Sequence, residues 1–230
     1  MSFKIKPIVV KGILFDLDGT LADTAPDLSH AINIMRAKRN LEPKPFHLLR
    51  SVASAGVPGL LERGFNISTK DDNFENLRQE FLDIYSKNLC IKSAVFPKIF
   101  EILNYLKIKN IRWGIVTNKI FSLAQPLVEQ LKLFPDKQCL VGGDTTPYRK
   151  PHPAPLIYGA NVLELSPESI VYVGDDQRDI TASIAANMAS IAVGYGYGGQ
   201  DVSITTWQAD YTADSPNDLY QIISNLIESA

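Results

Sequence analysis

The sequence predicts an α/β fold, a doubly wound parallel sheet with an inserted helical domain, and two observations carry this prediction. Strand and helix patterns alternate from residue 96 onward, which is typical of a parallel sheet with right-handed crossovers. Residues 41–95 show helical periodicity and no strand pattern. We therefore predict a core domain formed by residues 1–22 and 96–230, and a helical domain formed by residues 23–95.

The first predicted strand covers about residues 12–16 and ends in acidic residues. Its apolar run, residues 13–15, leads directly into Asp16, and Asp18 and Gly19 follow. Such a run is typical of a buried parallel strand, whose carboxyl end is where an open α/β sheet holds its ligand. Carboxylates beside a core strand are costly unless they are paired or bind a metal. Taken alone, the stretch is equally compatible with an ordinary acidic turn.

A helical pattern follows this strand and continues, with interruptions, to residue 95. Thr24, Pro26 and Asp27 form a helix start, with Thr24 as the expected cap. We predict a loop of small residues over 51–59 and a helix within 74–89. Because this helical domain is inserted beside the exit of the first strand, we expect it to act as a lid.

The rest of the chain alternates between the two element types. Strands are expected at 113–116, 138–141, 170–174 and 190–193, and helices at 99–106, 123–131, 154–163, 180–186 and 219–226.

Composition excludes several classes of protein. The 230 residues are 45% hydrophobic, and the formal net charge is −2, so nothing favours nucleic acid or an anionic membrane as a partner. No apolar run reaches the roughly 18 residues of a membrane span, and the first ten residues do not resemble a signal peptide. Cys90 and Cys139 form no spacing motif. We therefore expect a cytoplasmic protein, monomeric or homodimeric, with two reduced thiols.

Four segments carry polar groups at the expected carboxyl edge of the sheet. Asp16 and Asp18 follow the first strand, and Thr117-Asn118 follow the second. Lys150 lies in the loop before the helix at 154–163, and an acidic stretch at 175–179 follows the fourth strand. Because the carboxyl ends of parallel strands meet at one edge, we expect these groups to share a pocket.

The first half of this chemistry is metal binding. Asp16 and Asp175 are hard oxygen donors that, with a backbone carbonyl expected from Asp18, suit an octahedral Mg²⁺ site. Asp179 lies one helical turn further on and is expected to act as an outer or water-mediated ligand. Asp176 is expected to be a solvated residue of the first helical turn, favoured by the helix dipole.

The second half is the attack of a carboxylate on a phosphate ester. Thr117, with Asn118 beside it, is expected to hold phosphate oxygens, and Lys150 supplies a fixed positive charge. Metal and lysine together reduce the repulsion between an anionic nucleophile and an anionic ester. Asp18 is then free to protonate the leaving alkoxide and later to activate water. The sequence thus predicts covalent catalysis through an aspartyl phosphate on Asp16.

The chain resembles the haloacid dehalogenase superfamily. The resemblance rests on Phe-Asp-Leu-Asp-Gly-Thr-Leu at 15–21, Val-Thr-Asn at 116–118, Arg-Lys-Pro-His-Pro at 149–153 and Val-Gly-Asp-Asp-Gln-Arg-Asp at 173–179. It implies a Rossmann-like core and a helical cap domain formed by the insert. It also implies an Asp nucleophile, an acid/base Asp two residues on, phosphate binding by Thr and Lys, and Mg²⁺ as cofactor. In this chain those residues are Asp16, Asp18, Thr117 and Lys150, with Asp16, Asp18 and Asp175 as metal ligands.

Finer features resemble the bacterial phosphoglycolate phosphatase branch of this superfamily. They lie at 23–28, at 60–63 and between 142 and 156. The branch implies hydrolysis of 2-phosphoglycolate to glycolate. Residues 54–56, Ser-Ala-Gly, depart from the usual Gly-Asn-Gly, which leaves the substrate open rather than the chemistry.

A cap domain that recognises the carboxylate of a substrate must offer a cation or a cluster of N–H groups. Arg50, Ser54, Gly56 and Arg63, in or near the predicted loop, are the candidates. Each arginine is also compatible with an ordinary ion-paired position on a helix surface.

Three other functions remain open at this point. One is a phosphomutase of the β-phosphoglucomutase type, and another is a phosphatase of a sugar phosphate, a nucleotide or pyrophosphate. The third is a phosphoryl-accepting signalling switch, since receiver domains also combine an acceptor Asp, Mg²⁺, Thr and Lys. Such switches have no cap domain and no second Asp two residues after the acceptor. Because this chain has both features, an enzyme is favoured over a switch, and the expected partner is a small phosphorylated metabolite.

Overall fold

The structure is a computed structural model that describes residues 9–198 and 203–229. Residues 1–8 and 230 of the predicted core domain lie outside this range. So do residues 199–202, which include the end of a Gly- and Tyr-rich turn expected at 195–200.

The described residues form eight strands and nine α-helices. The strands are β1 (Gly12–Phe15), β2 (Ala22–Asp23), β3 (Ala94–Val95), β4 (Arg112–Val116), β5 (Leu140–Val141), β6 (Ile170–Gly174), β7 (Ala189–Val193) and β8 (Tyr211–Ala213). The helices are α1 (Ala25–Ala37), α2 (Phe46–Arg50), α3 (Gly56–Phe65), α4 (Phe74–Lys87), α5 (Ile99–Ile108), α6 (Phe121–Gln130), α7 (Ala154–Leu163), α8 (Gln177–Ala185) and α9 (Pro216–Glu228). Among the described residues no helix combines the length and apolarity that a membrane crossing requires.

Six of the strands form one parallel sheet in the order β5-β4-β1-β6-β7-β8. The predicted α/β fold with a parallel sheet is therefore confirmed. β1 lies in the middle of the sheet between β4 and β6, although these strands are far apart in the chain. The carboxyl ends of these three strands consequently lie side by side.

Helices cover both faces of this sheet. Ile13 and Phe15 of β1 belong to an apolar cluster with residues of α5, α6 and α9. Leu14, which points to the opposite face, packs with residues of α7 and α8. Both faces of β1 are thus buried, which explains why its sequence is continuously apolar instead of alternating.

The insert between β1 and α5 has an apolar core of its own, formed by α1–α4. Its two chain connections pair with each other, since β2 and β3 form a short antiparallel ribbon. Neither β2 nor β3 was predicted, because two residues are too few to show an alternating pattern. β8 at the sheet edge was missed for a similar reason.

The loop predicted over 51–59 is wrong in its second half. A 3₁₀ turn occupies residues 53–55, and α3 begins at Gly56. Gly56 has a φ of +66° and links these two helical pieces. Pro58 lies in the first turn of α3, where its missing N–H costs nothing. Small residues therefore mark a break between two helical pieces here and not an extended loop.

The start of α1 is also capped differently from the prediction. The Thr24 side chain makes no cap hydrogen bond. Instead, the hydroxyl of Tyr197 accepts the backbone N–H groups of Thr24 at 2.6 Å and Ala25 at 3.0 Å. This hydroxyl also lies 2.8 Å from Oδ1 of Asp23. A residue from the core thus satisfies the free N–H groups at the point where the insert begins.

Candidate active site

Three side chains at the sheet edge share one structural origin. Asp16, Thr117 and Asp175 are each the first residue after a strand, namely β1, β4 and β6. All three are buried. Because these strands are neighbours in a parallel ladder, the three residues lie at one edge of the sheet and line the same cavity.

Lys150 enters this group from the loop before α7. Its ammonium nitrogen lies 2.7 Å from Oδ1 of Asp16 and 2.6 Å from Oδ1 of Asp179. It also contacts the carbonyl of Val116 at 3.0 Å and the hydroxyl of Tyr172 at 2.8 Å. A lysine is rarely buried unless it is paired, and here carboxylates and other oxygens surround its ammonium group.

Burial and neighbouring charges act in opposite directions on the pKa values of this pair. Desolvation raises the pKa of Asp16 to about 7, although the neighbouring Lys150 acts in the opposite direction. For Lys150, burial alone lowers the pKa, but the carboxylates of Asp16 and Asp179 outweigh it and the net pKa is raised. The lysine therefore stays charged and fixed against Asp16.

A group of three carboxylates lies beneath Lys150. Asp16, Asp175 and Asp179 each offer an oxygen atom, and these atoms lie within 4.8 Å of one another. Oδ2 of Asp175 accepts hydrogen bonds from the hydroxyl of Ser54 and the N–H of Tyr197. Desolvation by burial, with Asp16 and Asp179 nearby, raises the pKa of Asp175 well above its usual value.

This group fits a hard divalent cation. Oδ1 of Asp175 is buried without a hydrogen-bond partner, and no other carboxylate oxygen in the described part of the chain is in that state. Three buried carboxylates face a single lysine, so their full ionisation would leave excess negative charge that a cation would balance. Carboxylate oxygens are the donors that Mg²⁺ and Ca²⁺ prefer. Asp16, Asp175 and Asp179 are thus the residues able to hold such an ion.

Two glycines bring the backbone close to these carboxylates. Gly19 has a φ of +84°, and a Cβ at this position would lie 2.2 Å from Oδ2 of Asp175. A Cβ at Gly196 would lie 2.4 Å from Cβ of Asp175. The turn after β1 and the turn after β7 can therefore close on Asp175 only without side chains.

Asp18 is not one of these three grouped carboxylates and has contacts of its own. The hydroxyl of Thr24 donates a hydrogen bond to Oδ1 of Asp18. The ammonium group of Lys119 lies 3.2 Å from the same oxygen. Asp18 is therefore held from one side by the start of the insert and from the other by the segment after β4.

Lys119 was not among the predicted residues. Its side chain, which is 8% exposed, lies beside Tyr85 of α4, with its nitrogen 3.3 Å from the Tyr85 hydroxyl and 4.7 Å from the ring centroid. Burial lowers the pKa of Lys119, but Asp18 and Tyr85 outweigh this effect and raise it overall. The one signal in the sequence is that Lys119 directly follows the Thr117-Asn118 pair.

The strand exit after β4 also fixes the loop that carries Lys150. The Asn118 side chain accepts the N–H of Lys150 and donates to its carbonyl, both at 3.0 Å. The Thr117 hydroxyl accepts the N–H of Lys119 at 3.2 Å. Thr117 and Asn118 thus line the site while orienting the two lysines next to them.

Helix α8 begins at the same edge, and its first residues are tied to the insert. Asp176 is the N-cap of α8 and forms a reciprocal capping box with Asp179, so it is an ordered cap and not a solvated residue. Arg178 forms an ion pair with Asp176 at 2.8 Å. Its guanidinium also donates to the carbonyl of Ser54.

A cavity of about 450 Å³ separates this edge from the insert. Of the residues predicted to bind the substrate, Ser54 and Gly56 of the insert line this cavity, and so do Asn118 and Lys150 of the core. The insert contributes mainly apolar side chains, which are Leu28, Ala53, Ala55, Val57, Pro58, Phe74, Phe81, Leu82 and Tyr85.

The two arginines proposed from the sequence lie outside this cavity. Arg50 binds both carboxylate oxygens of Asp23, at 2.7 and 2.6 Å, and lies over the ring of Tyr197. It therefore belongs to the connection between core and insert. Arg63 is exposed near the end of α3 and is not part of the lining. The cavity instead receives Arg78 from α4, a residue that the sequence did not single out.

Comparisons with known proteins agree with this geometry. The model of the haloacid dehalogenase-like hydrolase family matches residues 13–193. An N-acetylmuramic acid 6-phosphate phosphatase from Pseudomonas putida is 36% identical over 218 residues, covering 95% of this chain and 98% of that protein. A phosphoglycolate phosphatase from Xanthomonas campestris is 39% identical over 211 residues, covering 92% and 95%. A crystal structure described as a predicted phosphoglycolate phosphatase from Haemophilus somnus superimposes with a TM-score of 0.81 at 31% identity, covering 93% and 98%.

Proposed function

The chain belongs to the haloacid dehalogenase-like hydrolases, and from this premise we propose that it is a Mg²⁺-dependent phosphatase that forms an aspartyl phosphate on Asp16. It is a phosphoric monoester hydrolase of small phosphorylated substrates, in agreement with its phosphatase-named relatives. The observation that carries the mechanism is the contact between Asp16 and Lys150, 2.7 Å long and buried at a strand end. A carboxylate in that position is oriented and charge-balanced for attack.

The reaction has two steps. A carboxylate oxygen of Asp16 attacks phosphorus, and the bond between phosphorus and the ester oxygen breaks. Asp18 donates a proton to the departing alkoxide, so the alcohol leaves and the phosphoryl group remains on Asp16. Asp18 then takes a proton from water as the water oxygen attacks phosphorus, which returns Asp16 as a free carboxylate and releases inorganic phosphate.

Other residues bind and orient the phosphoryl group. Thr117 offers its hydroxyl, and Lys150 offers positive charge opposite the oxygens that gain charge during transfer. Asn118 keeps the Lys150 backbone in place through its two hydrogen bonds. Asp16, Asp175 and Asp179, with the expected carbonyl of Asp18, would hold Mg²⁺, which supplies further positive charge to the phosphoryl oxygens.

We further propose that the substrate is a phosphorylated carboxylic acid. Phosphoglycolate and N-acetylmuramic acid 6-phosphate, the compounds in the relatives' names, share this chemistry. 2-Phosphoglycolate is the compound expected from the sequence. The cavity of about 450 Å³ with its apolar lining favours the larger compound, because a two-carbon acid would leave most of that volume unfilled.

Phosphate release from a panel of esters tests this proposal. Phosphoglycolate, N-acetylmuramic acid 6-phosphate, neutral sugar phosphates, nucleoside monophosphates and pyrophosphate are each assayed with Mg²⁺ and with a chelator. We expect release from one of the two acids to dominate, to stop with the chelator and to return with Mg²⁺. Conversion of a sugar phosphate without phosphate release would identify a phosphomutase. A stable phosphoprotein with no turnover would identify a signalling switch.

We also propose the cytoplasm as the location. Cys90 and Cys139 are both free thiols, which supports a reducing compartment. The proposal is tested by cell fractionation with antibodies against the native protein, where recovery with the periplasmic fraction would contradict it.

A further inference from the structure

The positive charges in the cavity fall into two groups. Lys150, Lys119 and Arg178 each have a carboxylate within 3.2 Å, namely Asp16 and Asp179, Asp18, and Asp176. Arg149 is exposed and donates to the carbonyl of Gly143. Arg78 is the one charged side chain that the insert contributes to the lining, as far as the described residues show.

Arg78 has only a weak partner of its own. Its guanidinium lies 3.5 Å from Oε2 of Glu75, three residues earlier on the same helix. The Glu75 side chain is 76% exposed, so water screens this pair strongly. The Arg78 side chain is itself only about one-third exposed. A guanidinium with this environment retains most of its capacity to bind an anion.

The helix face around Arg78 makes the arginine conspicuous. Phe74, Phe81, Leu82 and Tyr85 of α4 line the same cavity, and all of them are apolar or aromatic. The α4 residues that line the cavity offer no carboxylate to this guanidinium. An anionic group of a bound molecule would supply the interaction that the protein itself does not.

The position of Arg78 along α4 places it away from the reacting group. Tyr85 is at the catalytic end, because its hydroxyl contacts Lys119, which contacts Asp18. Arg78 precedes Tyr85 by two helical turns, about 10 Å along the helix axis. The cavity therefore has a phosphate end at Asp16 and Lys150 and a second cationic position further along α4.

We propose that Arg78 binds the carboxylate of the substrate and so makes the enzyme selective for phosphorylated acids over neutral phosphate esters. The proposal rests on the phosphatase function proposed above and assigns the binding of its acidic group. A guanidinium can bind a carboxylate through two parallel hydrogen bonds, which gives orientation as well as affinity. The separation from Tyr85 favours an acid whose carboxylate lies several bonds from the phosphate.

Matched pairs of esters test this role. N-acetylmuramic acid 6-phosphate is compared with N-acetylglucosamine 6-phosphate, and phosphoglycolate with ethyl phosphate, so that each pair differs by the acidic group. We expect Arg78→Gln to lower kcat/KM for the preferred acid by about ten- to hundred-fold and to leave its neutral partner nearly unchanged. Arg78→Lys should recover part of the loss, since it keeps the charge but not the paired geometry.

Lys87→Gln is the control, because it removes one exposed positive charge from the same helix outside the cavity. It should leave both members of each pair unchanged. Binding of the acids to Asp16→Asn and to Asp16→Asn with Arg78→Gln, measured by calorimetry, provides a readout without turnover. Weaker binding of the acid in the double variant supports the proposal.

The outcomes separate the two proposals. If the wild-type protein cleaves none of these esters, the proposed phosphatase function is wrong. If it cleaves them but does not prefer the acids, or if Arg78→Gln slows both members of a pair equally, only the role of Arg78 is overturned.

Discussion

The two sides of the cavity are built in different ways. On the core side, Asp16, Thr117 and Asp175 are each the first residue after a strand, so the pairing of β1 with β4 and β6 sets their positions. On the insert side, the lining comes from a 3₁₀ turn and from faces of α1, α3 and α4. The sheet can therefore keep one arrangement of reacting groups while the helices change what they present to the substrate.

The positively charged residues of the two sides also differ in how firmly they are held. Lys150 is buried and held by oxygens of four residues, which suits a group that must be in place before the reaction. Arg78 is partly exposed and weakly paired, which suits a group that changes partner when a ligand arrives. Changes on the core side should therefore affect chemistry, and changes on the insert side should affect selectivity.

The largest expected effect on the core side follows from Asp16→Asn. Asn is a poor nucleophile, so phosphate release should fall by at least about 10⁴-fold for every ester. The measurement is phosphate release with Mg²⁺, and cooperative thermal unfolding serves as the control for folding. Turnover near the wild-type level in a pure preparation would show that Asp16 is not the nucleophile.

A smaller and more selective effect is expected for Asp18→Asn. An alkyl phosphate needs a proton on its leaving oxygen, so formation of the aspartyl phosphate should slow by about 10²- to 10⁴-fold. p-Nitrophenyl phosphate has a leaving group that departs without a proton, and its burst of nitrophenol should be much less affected. Rapid-mixing measurements of that burst test the assignment, and equal losses for both esters would argue against Asp18 as the acid.

The sequence was sufficient to predict which residues line the core side of the cavity. Residues 13–15 are continuously apolar, which identifies a strand buried on both faces, and polar residues at strand exits of a parallel sheet must meet at one edge. This reasoning predicts that Asp16, Thr117, Asp175 and Lys150 lie together, and all four line one cavity. It needed no knowledge of side-chain packing, because strand order and direction determine the result.

The insert side could not be predicted in this way. Spacing along α4 identifies a helix, but the apolar face is shared between the core of the insert and the cavity. Spacing alone does not reveal that Arg78 faces the cavity while Arg63 does not. The contact of Lys119 with Tyr85 depends on how α4 docks against the core. Such tertiary contacts leave no local pattern in the sequence.

The junction of the two regions offers a test of stability. The hydroxyl of Tyr197 accepts the buried N–H groups of Thr24 and Ala25, so Tyr197→Phe leaves both without a partner. We expect the free energy of unfolding to fall by about 2 kcal/mol, measured by urea denaturation. Tyr195→Phe is the matched control, because among residues 9–198 and 203–229 that hydroxyl donates to the carbonyl of Thr20 alone, and its loss should cost about 1 kcal/mol. Equal losses would contradict this role of Tyr197.

The smallest expected effect is that of replacing Lys119, the residue through which the insert contacts Asp18. Lys119 joins Tyr85 of α4 to Asp18, so we infer that it positions Asp18 when the insert is in place. Lys119→Met should slow formation of the aspartyl phosphate from an alkyl phosphate by about tenfold, while the burst of nitrophenol from p-nitrophenyl phosphate changes little. Tyr85→Phe keeps the ring under Lys119 and removes only the hydroxyl contact, so its loss should be about twofold.

A uniform loss for both esters in Lys119→Met would mean that Lys119 supports the fold or binds phosphate and does not position the acid. An unchanged kcat with a raised KM would place it among the substrate-binding groups. A loss confined to the alkyl ester, and larger than that of Tyr85→Phe, would show that a helix of the insert helps to orient a catalytic residue of the core. The division between a core that reacts and an insert that selects would then have one defined exception, at the contact between Tyr85 and Lys119.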